Sequence, residues 1–242
     1  MKTLSGPEKF LRARDPRAVE EMDKPDCDLG KLQRTYAQFP LINAVVSGWR
    51  RNYRHRIRPL LSATGKTTLL DIGCGGGDVA RSLARWAARD GLWLEITAID
   101  PDDRALAFAR AQPPVPRLSF RQAFSAELVA DGAVFDVVIS NHMLHHLTPA
   151  QFQGLLADST ALATAAVIHS DIVRSPVAYA LFAAGTLPFF PGSYIRRDGL
   201  TSIKRSYTPG ELRAIAPPAW TVAAERPYRN LLLLTPAGGS HA

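Results

Sequence analysis

One stretch concentrates the residues able to do chemistry. Leu69, Leu70, Asp71 and Ile72 run into Gly73, Cys74, Gly75, Gly76, Gly77 and Asp78, an apolar strand that enters a glycine-rich turn and opens a helix. Four glycines in five positions let the backbone approach a ligand and leave N–H groups at a helix start, which suits a carboxylate or phosphate. Counted from Gly73, the dinucleotide fingerprint G-x-G-x-x-G puts its third glycine at Asp78, so a classical dehydrogenase is disfavoured. Asp71 is placed to meet a cationic group. Asp100 ends the next apolar run, where an acid accepts hydrogen bonds from both hydroxyls of a ribose. Together they predict a nucleoside ligand that carries an ammonium and a carboxylate rather than a pyrophosphate. The plainer alternative makes Asp71 and Asp78 turn and cap residues.

A second cluster follows the fourth apolar run: Asn141, His142, Met143, Leu144, His145, His146, Leu147. Histidines at i, i+3 and i+4 share a helical face, but no cysteine or carboxylate in this segment completes a metal site, so no metal is expected. His145 or His146 can instead serve as general base, removing a proton from a substrate hydroxyl or activated carbon. Packing of the turn is the competing use.

The elements that position these residues alternate. Apolar runs at 67–72, 94–99, 117–121, 134–140 and 165–169 alternate with helical patterns at 78–88, 103–111 and 149–164, which predicts a parallel sheet with helices on both faces. Two further runs, 220–224 and 230–235, leave no room for a helix between them and must form an antiparallel hairpin. The fold expected is α/β, a doubly wound, mostly parallel sheet of seven strands. Residues 1–66 form an N-terminal helical cap, with 1–30 as an arm or short turns. An amphipathic helix over 40–58 begins at Pro40 and docks through Ile42, Val45, Val46, Trp49 and Tyr53. The body spans 67–236, with an insertion at 171–207 and a frayed tail at 237–242.

Composition narrows the class. The 242 residues are 46% hydrophobic, enough for a sizeable core. The longest weakly polar run, 177–190, is interrupted by Gly185 and Pro188 and is too short to span a bilayer. No apolar signal core occupies residues 1–10, and Cys27 and Cys74 cannot build a disulfide framework, so a reducing cytoplasm is the expected setting. The charge of +7 resides entirely in residues 1–66, a basic segment suited to nucleic acid or to an ordinary solvated helix face.

Over residues 34–236 the chain resembles the class I S-adenosylmethionine-dependent methyltransferases, in the small-molecule branch that includes the quinone C-methyltransferases. The resemblance implies their Rossmann-like fold, S-adenosylmethionine as cofactor, and roles for particular residues. Asp71, Gly73, Cys74, Gly75 and Gly77 would hold its methionine part, Asp100 its ribose, and Pro101 and Asp102 would lie beside the adenine. Such enzymes often place an acid against the adenine amino group after the third strand; here Ala123 and Phe124 stand there, giving backbone and apolar contact instead. Asn141 and His142, at the fourth strand end, would face the transferable methyl. The insertion would act as a lid whose Tyr179, Phe182, Leu187, Phe189, Phe190 and Tyr194 select a hydrophobic or aromatic acceptor, unless they pack on the core or form a homodimer contact. Arg196, Arg197, Lys204 and Arg205 could steer an acidic group. Methyl transfer to oxygen or carbon of a phenolic, quinol or polyketide-like molecule follows. An RNA or DNA methyltransferase is the rival; the Asn/Asp-Pro-Pro-aromatic motif is absent at Asn141, which makes nucleic acid the weaker expectation. A non-enzymatic cofactor-binding protein is the other.

Overall fold

The computed structural model of the chain describes residues 11–187 and 192–236. The expectations placed on residues 1–10, on Phe189 and Phe190, and on the tail lie outside the described residues. The segment from Leu11 reaches a 3-10 turn, Glu21–Asp23, and then α1 (Leu29–Val46), α2 (Trp49–Asn52) and continuing turns to Leu60. The alternating body follows: β1 (Thr67–Ile72), α3 (Asp78–Arg89), β2 (Leu94–Asp100), α4 (Asp103–Ala111), β3 (Leu118–Gln122), α5 (Ser125–Ala130) and β4 (Phe135–Asn141). After a 3-10 turn at Leu144–His146 come α6 (Pro149–Leu162), β5 (Ala163–Ile172), α7 (Pro176–Gly185), α8 (Ile195–Arg205), α9 (Pro209–Ile215), β6 (Thr221–Glu225) and β7 (Arg229–Leu234).

The seven strands are ordered β3-β2-β1-β4-β5-β7-β6, the first five parallel and β7 antiparallel to both β5 and β6. Strand alternation splits the core in two. Leu69, Ile96, Val137 and Ile168 pack with Leu83 and Ala87 of α3 on one face, while Leu70, Val138 and Val167 pack with Phe152 and Leu156 of α6 on the other. Strand order reverses between β1 and β4, and the carboxyl ends of both strands open there into a crevice.

The N-terminal helix differs from the expected 40–58. It starts at Leu29 because the Asp28 side chain accepts the Lys31 N–H at 2.9 Å, and Pro40 lies inside it. Gly48, at φ +68°, breaks the helical path immediately before Trp49, so Trp49 and Tyr53 reach the core while Val45 is 71% exposed. Gly77 has the tightest steric requirement in the turn. Its φ is +77°, and a Cβ there would lie 2.6 Å from the Phe120 ring of β3. Gly77 therefore supplies the close helix–strand packing that the fingerprint assigns to a later glycine. Gly77→Ala is expected to cost about 2–3 kcal/mol from left-handed strain plus overpacking, read as a lowered denaturation midpoint with unchanged m-value; a change below 0.5 kcal/mol, on the order of ordinary surface substitutions, would contradict this packing role.

Candidate functional site

At the crevice lies a cavity of about 1230 Å³. Asp71, Gly73, Cys74, Gly75, Asp100, Pro101, Asp102, Ala123, Phe124, Asn141 and His142 all line it, as do His145 and His146. Gly77 does not line it, for the packing reason above. Gly73 carries φ +69°, and a Cβ there would press on Met143 Sδ at 2.5 Å, so the turn needs glycine where it skirts the cavity. Phe124 is 63% exposed on the rim.

Carboxylates dominate one wall. Asp100 Oδ2 accepts the Gly75 N–H at 2.8 Å and its Oδ1 accepts the Asp102 N–H at 2.9 Å, which ties the glycine turn to the end of β2. Asp71 is buried, and its Oδ2 has no hydrogen-bond partner among the described residues. Asp78 Oδ2 accepts from Asn43 Nδ2 of α1 at 2.9 Å. Burial raises the pKa of all three acids, and for Asp71 the neighbouring Asp78 and Asp100 add to it. Among the described residues none of the three has a cationic side chain in ion-pair range. Three acids without a counter-charge among the described residues, Asp71 and Asp100 buried and Asp78 partly so, beside an open glycine cradle, fit a cationic nucleoside such as S-adenosylmethionine.

A pH consequence follows. The free-state pKa of Asp71 is raised, and a cation beside it favours the carboxylate, so cofactor binding releases a proton and weakens as pH falls below that pKa. The expected slope is up to about tenfold per pH unit, measured by calorimetry in buffers of different ionisation enthalpy. Binding with no proton exchange at any pH would contradict it.

The histidines are more firmly held than their sequence suggests. His145 is 1% exposed; its Nδ1 lies 2.7 Å from Asp171 Oδ1, its Nε2 3.2 Å from Glu20 Oε1, and its N–H donates to Asp171 Oδ2. Burial opposes charge on this ring, but Asp171 and Glu20 outweigh it and hold the pKa up at about 9. Both ring nitrogens are thus engaged. His146 is partly exposed, with Nδ1 3.0 Å from Asp23 Oδ2. His142, at φ +55°, is pushed well below its ordinary pKa by burial and by Arg229, which bonds its Nε2.

Four contributors were missed in the sequence: Glu20, Asp78 as a wall residue, Asp171 and Arg229. Arg229 of β7 donates to Asn141 Oδ1 at 3.1 Å and to Ser170 Oγ, bracing the end of β4. Asp171 had one legible signal, its place at the carboxyl end of the fifth strand. Glu20 had none, being 125 residues from its partner.

The insertion contributes less than expected. Phe182 lines the cavity together with Ala178 and Leu181, but Tyr179, Leu187 and Tyr194 do not. Tyr194 is buried against α1, its hydroxyl accepting the Asp28 N–H at 2.9 Å, and Leu187 is 70% exposed. Arg205 is no steering residue: it is buried and donates to the His145 and His146 carbonyls. Arg197 pairs with Glu21. Instead α1 supplies apolar wall through Phe39, Leu41, Ile42, Val45 and Val46. Among the described residues no helix is long and apolar enough to cross a membrane.

Comparison with known proteins bears directly on this cavity. Residues 69–164, from β1 into β5, match the methyltransferase domain family model. The chain is 27% identical over 210 residues to the ubiquinone biosynthesis O-methyltransferase of Azorhizobium caulinodans, covering 83% of this chain and 78% of that one. It is 30% identical over 153 residues to the protein of the same name from Caulobacter sp., covering 60% and 56%. In fold it is similar to human N-acetylserotonin methyltransferase in complex with S-adenosylmethionine (TM-score 0.60, 13% identity, 86% of this chain and 56% of that one). It is also similar to the plantazolicin methyltransferase in complex with S-adenosylhomocysteine (TM-score 0.55, 13% identity, 85% and 96%). With the strand order, the glycine cradle and the unpaired acids, these matches identify the chain as a member of the class I S-adenosylmethionine-dependent methyltransferases.

Proposed function

We propose that the protein methylates an oxygen or carbon of a hydrophobic phenolic, quinol or polyketide-like small molecule. The observation that carries this reading is the mixed lining of the cavity: acids and glycines from the ends of β1 and β2, and apolar side chains from α1, α7 and α8, including Ile42, Val46, Leu181, Phe182 and Ile203. Bound S-adenosylmethionine supplies an activated methyl group on a sulfonium. Asp71 and Asp78 offer negative charge to its cationic part, and Asp100, whose oxygens retain free lone pairs, accepts from the ribose hydroxyls. Pro101, Asp102, Ala123 and Phe124 flank the adenine. Asn141 and His142, braced by Arg229, set the floor on which donor and acceptor align. The apolar wall excludes water and orients an aromatic ring. A proton lost by an acceptor hydroxyl passes to His146, which lines the cavity and is partly exposed, whereas both ring nitrogens of His145 are already engaged by Asp171 and Glu20.

The names of the matched relatives, O-methyltransferases of ubiquinone biosynthesis, support an aromatic oxygen acceptor. Nucleic acid is the weaker reading because several basic residues of the N-terminal region are engaged within the fold: Arg56 with Glu225, Arg58 with Asp90, and Arg50 over the Trp86 ring. The test is release of S-adenosylhomocysteine with a panel of catechols, phenols and hydroquinones against RNA and DNA oligomers. Turnover on the panel that rises with acceptor hydrophobicity is expected. Turnover only on nucleic acid, with binding that falls by orders of magnitude between low and moderate salt, would replace this reading, and cofactor binding without turnover on anything would reduce the protein to a binding module.

A further inference from the structure

Three ligand-type atoms converge at the edge of the cavity. Glu20 Oε1 stands 3.2 Å from His145 Nε2 and 3.6 Å from His146 Nε2, and all three donor atoms lie within 4.8 Å of one another. The other nitrogen of each ring faces its own carboxylate: His145 Nδ1 faces Asp171 at 2.7 Å and His146 Nδ1 faces Asp23 at 3.0 Å. This is the outer-shell arrangement that fixes metal-bound imidazoles through Nδ1, and it turns both Nε2 atoms toward Glu20, where an arriving ion would displace the proton that His145 shares with that carboxylate. Glu20 is oriented as well, since Ser202 Oγ donates to its Oε1 at 2.8 Å and the Glu21 and Met22 N–H groups are anchored on Asp198.

Two imidazole nitrogens and a carboxylate oxygen within 4.8 Å of one another form a set that one cation can bridge. Ligands at about 2.0–2.1 Å in a tetrahedral shell are separated by about 3.3 Å, close to the 3.2 and 3.6 Å from Glu20 Oε1 to the two ring nitrogens. We infer that Glu20, His145 and His146 form a binding site for one divalent transition-metal ion, of the two-histidine, one-carboxylate type that suits Zn²⁺, Fe²⁺ or Co²⁺. The expectation of no metal, drawn from the 141–147 segment alone, changes because folding brings in the carboxylate that segment lacks. Three protein ligands leave at least one coordination position, and all three residues line the cavity, so that position is open to water or to an acceptor oxygen. The ion would also join the segment before α1 to the turn after β4. The claim rests on the cluster's geometry and does not depend on the identity of the methyl acceptor.

The test uses the full chain, free of any histidine tag and stripped with a chelator, titrated with Co²⁺ and then with Zn²⁺ in competition. One equivalent of Co²⁺ with a visible ligand-field band, displaced by Zn²⁺, is expected, together with a metal-dependent rise in melting temperature. Glu20→Gln and the partly exposed His146→Ala should each weaken Co²⁺ binding at least 100-fold, and Asp23→Asn by about tenfold, as outer-shell changes do. Failure of the wild-type chain to bind Co²⁺ or Zn²⁺ stoichiometrically overturns the inference. So does binding that is unchanged in His146→Ala, which retains a readout even if Glu20→Gln folds poorly. Both readouts are taken without cofactor or acceptor, so their failure is separate from failure of the proposed methyl transfer.

Discussion

Replacing Asp100 with alanine is expected to weaken binding of S-adenosylhomocysteine by more than two orders of magnitude while leaving the chain folded. Its carboxylate accepts the Gly75 and Asp102 N–H groups at 2.8 and 2.9 Å, so it both shapes the glycine turn and points spare lone pairs at the cavity. Hydrogen bonds to a charged group contribute about 1.5–3 kcal/mol each, so losing two from the cofactor gives about 3–6 kcal/mol. The fold tolerates the change because burial already disfavours the charged form of this acid. Asp100→Asn, which keeps one oxygen in place, should fall between the two. Calorimetry that finds the alanine variant binding as tightly as the wild-type chain would remove Asp100 from the site.

The second large effect is on stability. Asp171→Ala is expected to cost about 3–5 kcal/mol, because removing one partner of a buried charged network leaves the other uncompensated. Asp171 accepts from the His145 ring, the His145 N–H and the Ile172 N–H, the first two at 2.7 and 2.8 Å, and is itself 2% exposed. In a chain of this size, that loss corresponds to a melting temperature lower by roughly 10 °C. The double variant with His145→Ala should lose less than the sum of the two single losses, since the pair is removed together. Additive losses, or a single-variant shift under about 2 °C, would mean that the pair is not coupled.

Much of this architecture was legible because short-range patterns determine it. Apolar runs of strand length punctuated by glycine, aspartate and proline gave the seven strands, and the short link between 224 and 230 forced the closing hairpin. Asp71, the glycine turn and Asp100 were legible for the same reason: each sits at a strand end whose position follows from the pattern. Contacts that depend on distant segments were not. Glu20 reaches His145 across 125 residues, and Arg229 reaches Asn141 across 88. The start of α1 was misplaced because Pro40 is a strong first-turn signal, whereas the operative signal is the side chain of Asp28 on Lys31. In the insertion, aromatic content alone did not distinguish Phe182, which faces the cavity, from Tyr194, which packs against α1. The spare acid charge of the wall was visible only once Asp71, Asp78 and Asp100 were seen together without a cation.

The long reach of the N-terminal segment bears on the order of assembly. Arg14 donates to the Arg205 carbonyl, 191 residues on, and Glu21 donates to Asp198, 177 residues on. During synthesis this segment emerges long before α8 exists, so the strap has nothing to grip until α8 has been made. The nucleotide half of the crevice, built from β1 to β4, can therefore form while the strap is still waiting, and the wall that contains Glu20 is fitted only once α8 is in place.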